Sequence, residues 1–359
     1  MTSSRFSSNK SGGLSSPERV AERGRSATSS IAEVLHVVQE WAEKRPHLTR
    51  AFALLCILFL PVIVRNPYHM RILNMILLYS VLSISLNLVV GHTGLLSFGH
   101  AAFYGIGAYT TAILLKDFGW SFWIVFPLSG LLAALFGALL GLPSARVRGD
   151  YLCVVTIGFG GIAFLVMQNW TSVTRGPMGI PGIPSPTLLS FRLTSHAQYY
   201  YFGLALLLLT YWIVKNIHDS KIGRALLAIR EDELAASVMG INTFRYKVLS
   251  LVLSTFFAGL AGSYLAVYLS FVGPLNFTVD ESVLMIIMVI WGGMGSLPGS
   301  IFGAASMLGV VELFRPLYQY RLVIWGGVLL FVLLLRPQGV FSRKPYRPRR
   351  QVVESEEIP

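Results

Sequence analysis

The sequence predicts an all-α polytopic membrane protein with about ten membrane segments, some of them short or broken. Of its 359 residues, 54% are hydrophobic and only 13% are charged, whereas soluble domains carry about 25% charged residues. Apolar runs long enough for a spanning helix, roughly 17 to 25 residues, recur along the chain. Of the 29 lysines and arginines, 22 cluster as the positive-inside rule predicts for cytoplasmic segments, within residues 1–50, 143–150, 215–247 and 336–359.

Residues 1–48 are predicted to be a cytoplasmic tail rich in serine and basic residues. Its first thirty residues contain no apolar core, so we expect no cleavable signal peptide. An organellar transit peptide has a similar composition, but Glu18, Glu22 and Glu33 oppose that alternative. Apolar residues at helical spacing then predict a short helix on the membrane surface, namely Ile31, Val34, Leu35, Val38 and Trp41.

The membrane domain is predicted over residues 49–338. If the N-terminal tail is cytoplasmic, alternation of spans puts the basic loop 143–150 and the segment 216–247 on the cytoplasmic side too, in agreement with their charge. The candidate spans are 50–65, 72–90, 95–115, 120–142, 150–170, 199–215, 248–271 and 322–336, with a longer apolar stretch at 282–314.

The long apolar stretch decides where the C-terminus lies. Its centre reads "GGMGSLPGS", Gly292 to Ser300, and supplies the glycines and the proline expected of a helix break. A split near Leu297 gives ten segments and leaves the basic tail, residues 339–359, in the cytoplasm with the N-terminus. A single tilted helix over a kink is the alternative.

The split also suggests a weak internal repeat. The stretches Gly91–Tyr109 and Gly293–Leu308 then enter the membrane in the same direction, each after an apolar span and a glycine-rich turn. Transporters are often built from such parallel repeats, although shared glycine, serine and alanine content would produce the same similarity.

The chain has no residues for a catalytic or metal site of its own. It contains no glycine-rich phosphate loop, no Cys or His pair at metal-ligand spacing and no carboxylate pair well inside a predicted span. Cys56 and Cys153 lie in apolar runs and are expected to act as small buried hydrophobes. We therefore predict neither catalysis nor a cofactor in this chain, and because the basic residues follow the membrane loops, no nucleic-acid partner.

One cytoplasmic segment, Lys221 to Leu249, differs from the rest. Its apolar residues recur at helical intervals around an acidic cluster and predict a helix over 222–239, a turn at Gly240 and a second helix leading back into the membrane. On periodicity alone, an ordinary amphipathic helix at the membrane surface is equally consistent. The apolar residues are Ala225, Leu226, Ile229, Leu234, Val238 and Ile241.

This segment resembles the cytoplasmic coupling loop of ABC importer permeases, whose pattern is Glu-Ala-Ala, three residues, then Gly. Ala235, Ala236 and Gly240 fit the spacing, while Glu233 is displaced by the inserted Leu234. Three longer motifs extend the resemblance: "GHTGLLSFGHAAFYGIGAYTTAIL", "NWTSVTRGPMGIPGIPSP" and "GRALLAIREDELAASVMGIN". With these motifs, the chain resembles branched-chain amino-acid ABC transporter permeases of the LivM type over about residues 66–340.

The resemblance implies a transmembrane subunit that moves leucine, isoleucine and valine across the bilayer of a bacterial inner membrane. It implies four partners: a second related permease, two cytoplasmic ATP-binding subunits that hold ATP and Mg²⁺, and an extracytoplasmic amino-acid-binding protein. The residues expected to couple the chain to the ATPase are Arg230, Glu231, Asp232, Glu233, Ala235, Ala236 and Gly240.

Two other functions stay open. Related permeases that import urea, short amides or other amino acids share these motifs. An ion-coupled secondary transporter needs an ionisable group near the middle of the membrane, and Glu312, close to a span end, is the best candidate in the sequence.

Small residues and one histidine are the candidates for the translocation pathway. The small residues predict close helix packing, but loosened helices also expose backbone amides that suit a carboxylate. His100 is either a substrate contact or bonded to a neighbouring helix, whereas His92 is expected to be a solvated turn residue. The pathway candidates are Gly99, His100, Ala101, Gly105, Thr156, Gly158, Gly160 and Gly161.

The proline-rich loop Arg175 to Pro186 falls on the extracytoplasmic side in this topology. Its prolines restrict the backbone. It is expected either to form part of the docking surface for the binding protein or to cover the pathway as a rigid loop.

Overall fold

A computed structural model describes residues 58–61, 64, 66–144, 149–188 and 191–313, together with residues 320, 323, 325–327, 330, 334 and 340–341. Contacts divide the chain into two units, residues 1–64 and 65–359. In the first unit, residues 58–61 are helical. The predicted tail 1–48, its surface helix, most of the first and last spans and nearly all of the tail 339–359 lie outside the described residues.

The described part of the second unit is almost entirely helical. Its long loops contain two 3₁₀ turns, Gly176–Met178 and Pro274–Phe277. The α-helices are α1 Pro67–Thr93, α2 His100–Lys116, α3 Phe122–Ser144, α4 Gly149–Asn169, α5 Thr171–Thr174, α6 His196–Asp219, α7 Lys221–Glu231, α8 Glu233–Val238, α9 Thr243–Leu269, α10 Val279–Gly292 and α11 Leu297–Leu313.

The helices follow the predicted apolar spans. Within the described residues, five are long and apolar enough to cross a membrane: α1, α3, α4, α6 and α9. The break predicted near Leu297 is present, because α10 ends at Gly292 and α11 begins after a turn with positive φ at Gly293 and Gly295. Polytopic helical architecture is thus confirmed.

Local caps explain where several helices begin and end. Asn66 accepts a hydrogen bond from the Tyr68 backbone N–H, and Pro67 occupies the first helical position of α1. Gly94, with φ of 74°, caps the C-terminal end of the same helix. Ser195 and Gln198 form a capping box at the start of α6. These residues fix helix ends that hydropathy alone leaves open.

Two short antiparallel strand pairs join loops at one end of the bundle. Strand β1 (Ile180–Pro181) pairs with β4 (Phe271–Val272), and β2 (Thr187–Leu188) pairs with β3 (Phe191–Arg192). The first pair ties the proline-rich loop to the segment that follows α9.

Helix α9 lies at the centre of the bundle, against α1, α2 and α3. Small residues bring the backbones close: a Cβ at Gly107 would lie 2.2 Å from the carbonyl oxygen of Gly259, and one at Gly137 would lie 2.1 Å from Thr255 Oγ1. Such contacts are how helices associate where no hydrophobic effect drives them together.

Candidate functional site

The candidate coupling residues lie at one end of the bundle, on α7 and α8. The prediction of a single helix over 222–239 is wrong, since α7 ends at Glu231 and α8 begins at Glu233. Asp232 between them is extended, with φ of −157°, and its Oδ1 accepts from the backbone N–H groups of Leu234 (2.8 Å) and Ala235 (3.0 Å). An aspartate that caps a helix in this way interrupts the helix before it.

The turn predicted at Gly240 is present. Gly240 has φ of 85°, and the N–H of Ile241 donates to the carbonyl of Ala236 at 3.1 Å, which closes α8 with a left-handed residue. Asn242 then caps α9 by accepting from the Arg245 N–H at 3.1 Å. The segment therefore leaves the bundle and returns through two defined turns.

Glu233 anchors α8 to the bundle. Its carboxylate pairs with Lys247 Nζ at 2.5 Å, and the lysine side chain is buried whereas the glutamate side chain is partly exposed. Ala236 is buried as well, while Ala235 is exposed. The acid that departs from the family spacing thus holds the segment in place.

An exposed apolar surface lies beside these anchored residues. Leu234, Val238 and Met239 are 78%, 86% and 82% exposed, and we call these three residues the tip patch. Exposed apolar side chains that form a contiguous patch mark sites of interaction with other molecules. The tip patch is therefore a candidate interaction surface.

The candidate pathway residues lie deeper in the bundle than the coupling residues, and contacts with α1 show how far along that helix they lie. Its 27 residues span about 40 Å at 1.5 Å per residue. Tyr79, near its middle, donates from Oη to Glu281 Oε2 at 2.8 Å, and Ser85 is hydrogen-bonded to His100 Nε2 at 2.9 Å. Helices α2 and α10 therefore begin partway along α1 rather than at its ends.

The N-termini of α2 and α10 meet at this depth. The backbone N–H of Ala101 donates to Ser282 Oγ at 2.9 Å. Helix α10 has 14 residues, about 21 Å, so it covers only the half of α1 nearest to α7. We call the meeting point of Ala101, Glu281 and Ser282 the mid-membrane junction, because it lies about halfway along the candidate membrane span α1.

Irregular backbone leads into the mid-membrane junction. From Val272, paired with Ile180, the chain passes through the Pro274–Phe277 turn, and the Phe277 ring packs 5.1 Å from Tyr104. Non-helical backbone at membrane depth occurs where it is buried in protein or lines a water-filled cavity. Leu275 in this turn is exposed.

Most of the predicted pathway residues surround the junction. A Cβ at Gly99 would lie 2.6 Å from the Thr156 carbonyl oxygen, one at Gly160 would lie 3.6 Å from Gly99 Cα, and one at Gly105 would lie 2.9 Å from the Phe277 ring. His100 and Ala101 are buried there too. The contacts of Gly99 and Gly105 are therefore close packing, whereas the approach of Gly160 to Gly99 is an ordinary van der Waals contact.

Gly158 and Gly161 lie elsewhere. A Cβ at either position would meet no atom within 4 Å, and α4 turns its apolar side outwards around them. The structure does not bring these two glycines to the junction.

The prediction that His92 is a solvated turn residue is wrong. Helix α1 continues to Thr93, so His92 stays within the helix and is buried. Its Nδ1 is 3.0 Å from the Asn87 carbonyl oxygen and its Nε2 is 2.7 Å from His218 Nδ1 in the last turn of α6. The contact closes the end of α1 against α6.

Sequence reasoning missed the carboxylates of the junction. Asp280 is exposed and Glu281 is partly buried, and both stand in the first turn of α10. The signal was present in "GPLNFTVDES", where a proline and an acidic pair precede an apolar helix. Hydropathy placed this pair at a span end, whereas α10 begins in the middle of the bundle.

The proline-rich loop packs over the opposite end from α7. Arg175 pairs with Asp117 at 3.1 Å, and Lys116 donates to the Pro181 carbonyl. Ile180 is buried, while Met178 is 84% exposed. Among the described residues, no group of three or more His, Cys, Asp or Glu is arranged to hold a metal ion.

Comparison with known proteins identifies the family. The family described as "branched-chain amino acid transport system / permease component" matches residues 68–335. The chain belongs to this family. The permease is 34% identical over 342 residues to the high-affinity branched-chain amino acid transport system permease protein LivM of Escherichia coli K12, covering 89% of this chain and 80% of the relative.

Further relatives extend the comparison to both kinds of permease. The Salmonella typhimurium LivM protein is 37% identical over 292 residues, which cover 75% of this permease and 69% of the relative. The Escherichia coli K12 LivH protein is 26% identical over 288 residues, which cover 74% and 91%. No solved structure matches the permease. The family resemblance read from the motifs is confirmed, and both candidate sites fall inside the matched residues.

Proposed function

We propose that this permease is the non-catalytic membrane subunit of an ATP-binding-cassette importer for leucine, isoleucine and valine. The family membership carries the proposal, because two relatives of the LivM type and one of the LivH type are named as branched-chain amino acid permeases. The partners are a second, related permease, two cytoplasmic subunits that bind ATP and Mg²⁺, and an extracytoplasmic binding protein. The location is a bacterial inner membrane.

The proposed topology has ten membrane segments with both termini cytoplasmic. Support comes from the five long apolar helices, from α2, and from the hairpin of α10 and α11, to which the predicted spans 50–65 and 322–336 are added. The membrane domain is residues 49–338, between the tails 1–48 and 339–359. In this topology α7 and α8 lie in the cytoplasm and the proline-rich loop lies outside.

A feature of the turns supports the parallel repeat. Gly94, before α2, and Gly295, before α11, both have positive φ, and a Cβ at either would lie 3.1–3.2 Å from the Arg230 side chain. Two re-entering helices thus start from glycine turns around one arginine.

We propose that the tip patch docks on the ATP-binding subunit. The patch belongs to a segment that the Glu233–Lys247 ion pair holds against α9, and its apolar side chains are exposed. A rigid attachment of this kind is what a segment needs if it is to transmit force rather than bend.

We propose that the substrate pathway passes the mid-membrane junction. An ionised carboxylate is costly in lipid and is found facing protein or a water-filled cavity, so the exposed Asp280 at half depth supports an aqueous or subunit-covered surface there. The irregular turn with the exposed Leu275 supports the same surface.

Asp280 and Glu281 also favour a second candidate function, ion-coupled transport. They lie near the middle of the bundle, where a coupling-ion site is expected, whereas Glu312 was expected near the end of a span. The experiment that separates the two is leucine uptake into proteoliposomes that contain the permease, its partner permease, the ATPase subunits and the binding protein. We expect uptake that requires ATP hydrolysis and prefers leucine to urea or acetamide. Uptake by the two permeases alone under a proton or sodium gradient would overturn the importer assignment.

A further inference from the structure

Arg230, in the last turn of α7, connects the coupling end to α1. Its Nη1 donates to the carbonyl oxygen of Gly91 at 2.5 Å. The last four carbonyls of a helix have no intrahelical partner, and α1 ends at Thr93. A guanidinium at this position satisfies one of these carbonyls and interacts favourably with the negative end of the helix dipole.

Gly91 in turn contacts the turn between α10 and α11. A Cβ at Gly91 would lie 2.4 Å from the backbone nitrogen of Gly295, so the two backbones touch. Arg230 Nη1 also lies 3.2 Å from the Cβ position of Gly295. The arginine therefore bridges the end of α1 and the hairpin turn.

Asn87, one turn earlier on α1, fastens the same turn. Its Oδ1 accepts from the Gly295 N–H at 2.9 Å, and its Nδ2 donates to the Ser296 carbonyl at 3.1 Å and to Ser300 Oγ at 2.8 Å. Asn87 is fully buried. A buried amide with both of its ends bonded holds its partners in one geometry.

The hairpin is packed tightly enough to move as one body. A Cβ at Gly292 would lie 2.0 Å from the Gly299 carbonyl oxygen, and one at Gly303 would lie 1.9 Å from the Met288 carbonyl oxygen. Displacement of the turn at Gly295 would therefore displace the other end of α10, which carries Glu281 and Ser282 at the mid-membrane junction.

We propose that Arg230 is a positioning residue that transmits movement of α7 to the α10–α11 hairpin, through the Gly91 carbonyl and the turn at Gly295. ATP-driven movement of α7 then changes the contacts at the mid-membrane junction. Arg230 and Gly91, which form the first link, are 139 residues apart along the chain but hydrogen-bonded in space. The inference rests on the proposed function, since it assumes that α7 is moved by an ATPase.

The test measures leucine transported per ATP hydrolysed in the reconstituted complex. Arg230→Gln removes the charge and the fork of donors, and we expect the ratio to fall on the order of tenfold while the amount of assembled complex is unchanged. Arg230→Lys keeps the charge and should restore part of the ratio. Arg224→Gln, which removes the same charge from another exposed position of the same helix, should keep it.

A second variant guards against misfolding of the first. Ser300→Ala removes one acceptor of Asn87, and we expect it to lower the same ratio severalfold with normal assembly. Combined with Arg230→Gln, its effect should be less than additive, because both changes break one chain of contacts.

Different results would overturn the proposed link through Arg230 and the proposed function. A Ser300→Ala complex with an unchanged ratio, or strictly additive effects in the double variant, would overturn the link. ATP-independent uptake by the unaltered complex would instead overturn the proposed function.

Discussion

Several helix glycines of this permease stand where two backbones approach each other. A Cβ at Gly262 of α9 would lie 2.1 Å from the Tyr104 carbonyl oxygen of α2, and one at Gly107 would overlap Gly259. Backbone atoms cannot move aside as a flexible side chain can, so each of these positions excludes every larger residue.

We expect Gly262→Ala to destabilise the protein by about 1–3 kcal/mol, because the added methyl overpacks a backbone contact. The measurement is thermal unfolding of the detergent-solubilised complex. Gly158→Ala is the matched control: its Cβ meets no atom within 4 Å, and alanine is the better helix former. Equal loss of stability in both variants would contradict the assignment of close packing.

At the scale of elements, the coupling segment is a pair of short helices joined by an aspartate and closed by a glycine. The separate caps at Asp232 and Gly240 make the segment a rigid corner rather than one long helix. Its position against α9 depends on the buried Ala236 and Lys247.

We expect Gly240→Pro or Ala236→Trp to lower leucine uptake and the ATPase rate stimulated by the binding protein, while membrane insertion is kept. Proline fixes φ near −65°, whereas Gly240 has φ of 85°. Even Gly240→Ala should cost about 1–2 kcal/mol locally. If uptake and stimulated ATPase are normal in both variants, the coupling segment is not where the ATPase acts.

The role of the proline-rich loop in docking the binding protein can be tested by mutation. Deleting its centre would also remove the strand pairing of Ile180 with Val272, so a point change is the cleaner test. We expect Met178→Asp to reduce ATPase stimulation by the binding protein severalfold without changing basal ATPase, because Met178 is the exposed apolar residue of the loop. Unchanged stimulation would favour a loop that only covers the pathway.

At the scale of the whole molecule, the tip patch and the proline-rich loop lie at opposite ends of the bundle. Hydrogen bonds at successive positions of α1 show the order of these regions from one end of the bundle to the other. Asn74 is bonded to the His196 carbonyl, Tyr79 to Glu281, Ser85 to His100, and Gly91 to Arg230. In the proposed topology, the two candidate interaction surfaces therefore face different sides of the membrane.

Sidedness follows from this order. We expect a cysteine introduced by Val238→Cys to react with a membrane-impermeant thiol reagent only from the cytoplasmic side of sealed vesicles, and Met178→Cys only from the opposite side. Both positions are highly exposed. Labelling of both cysteines from one side would contradict the ten-segment topology.

The sequence by itself determined the membrane class, the helix order, the break before Leu297 and the turn at Gly240. These features rest on local signals, namely hydropathy, helix caps and glycine, and each is contained within a few neighbouring residues. The family motifs are likewise continuous in the chain, so the match over residues 68–335 was foreseeable.

Only the tertiary structure decided which residues meet. Ala101 and Ser282 are 181 residues apart, and His92 and His218 are 126 apart. Hydropathy gives the length of a helix but neither its rotation nor its depth, so Gly158 could not be told from Gly160, and Asp280–Glu281 could not be assigned to the middle of the bundle. Depth and rotation follow from side-chain packing between distant helices, which no local pattern encodes.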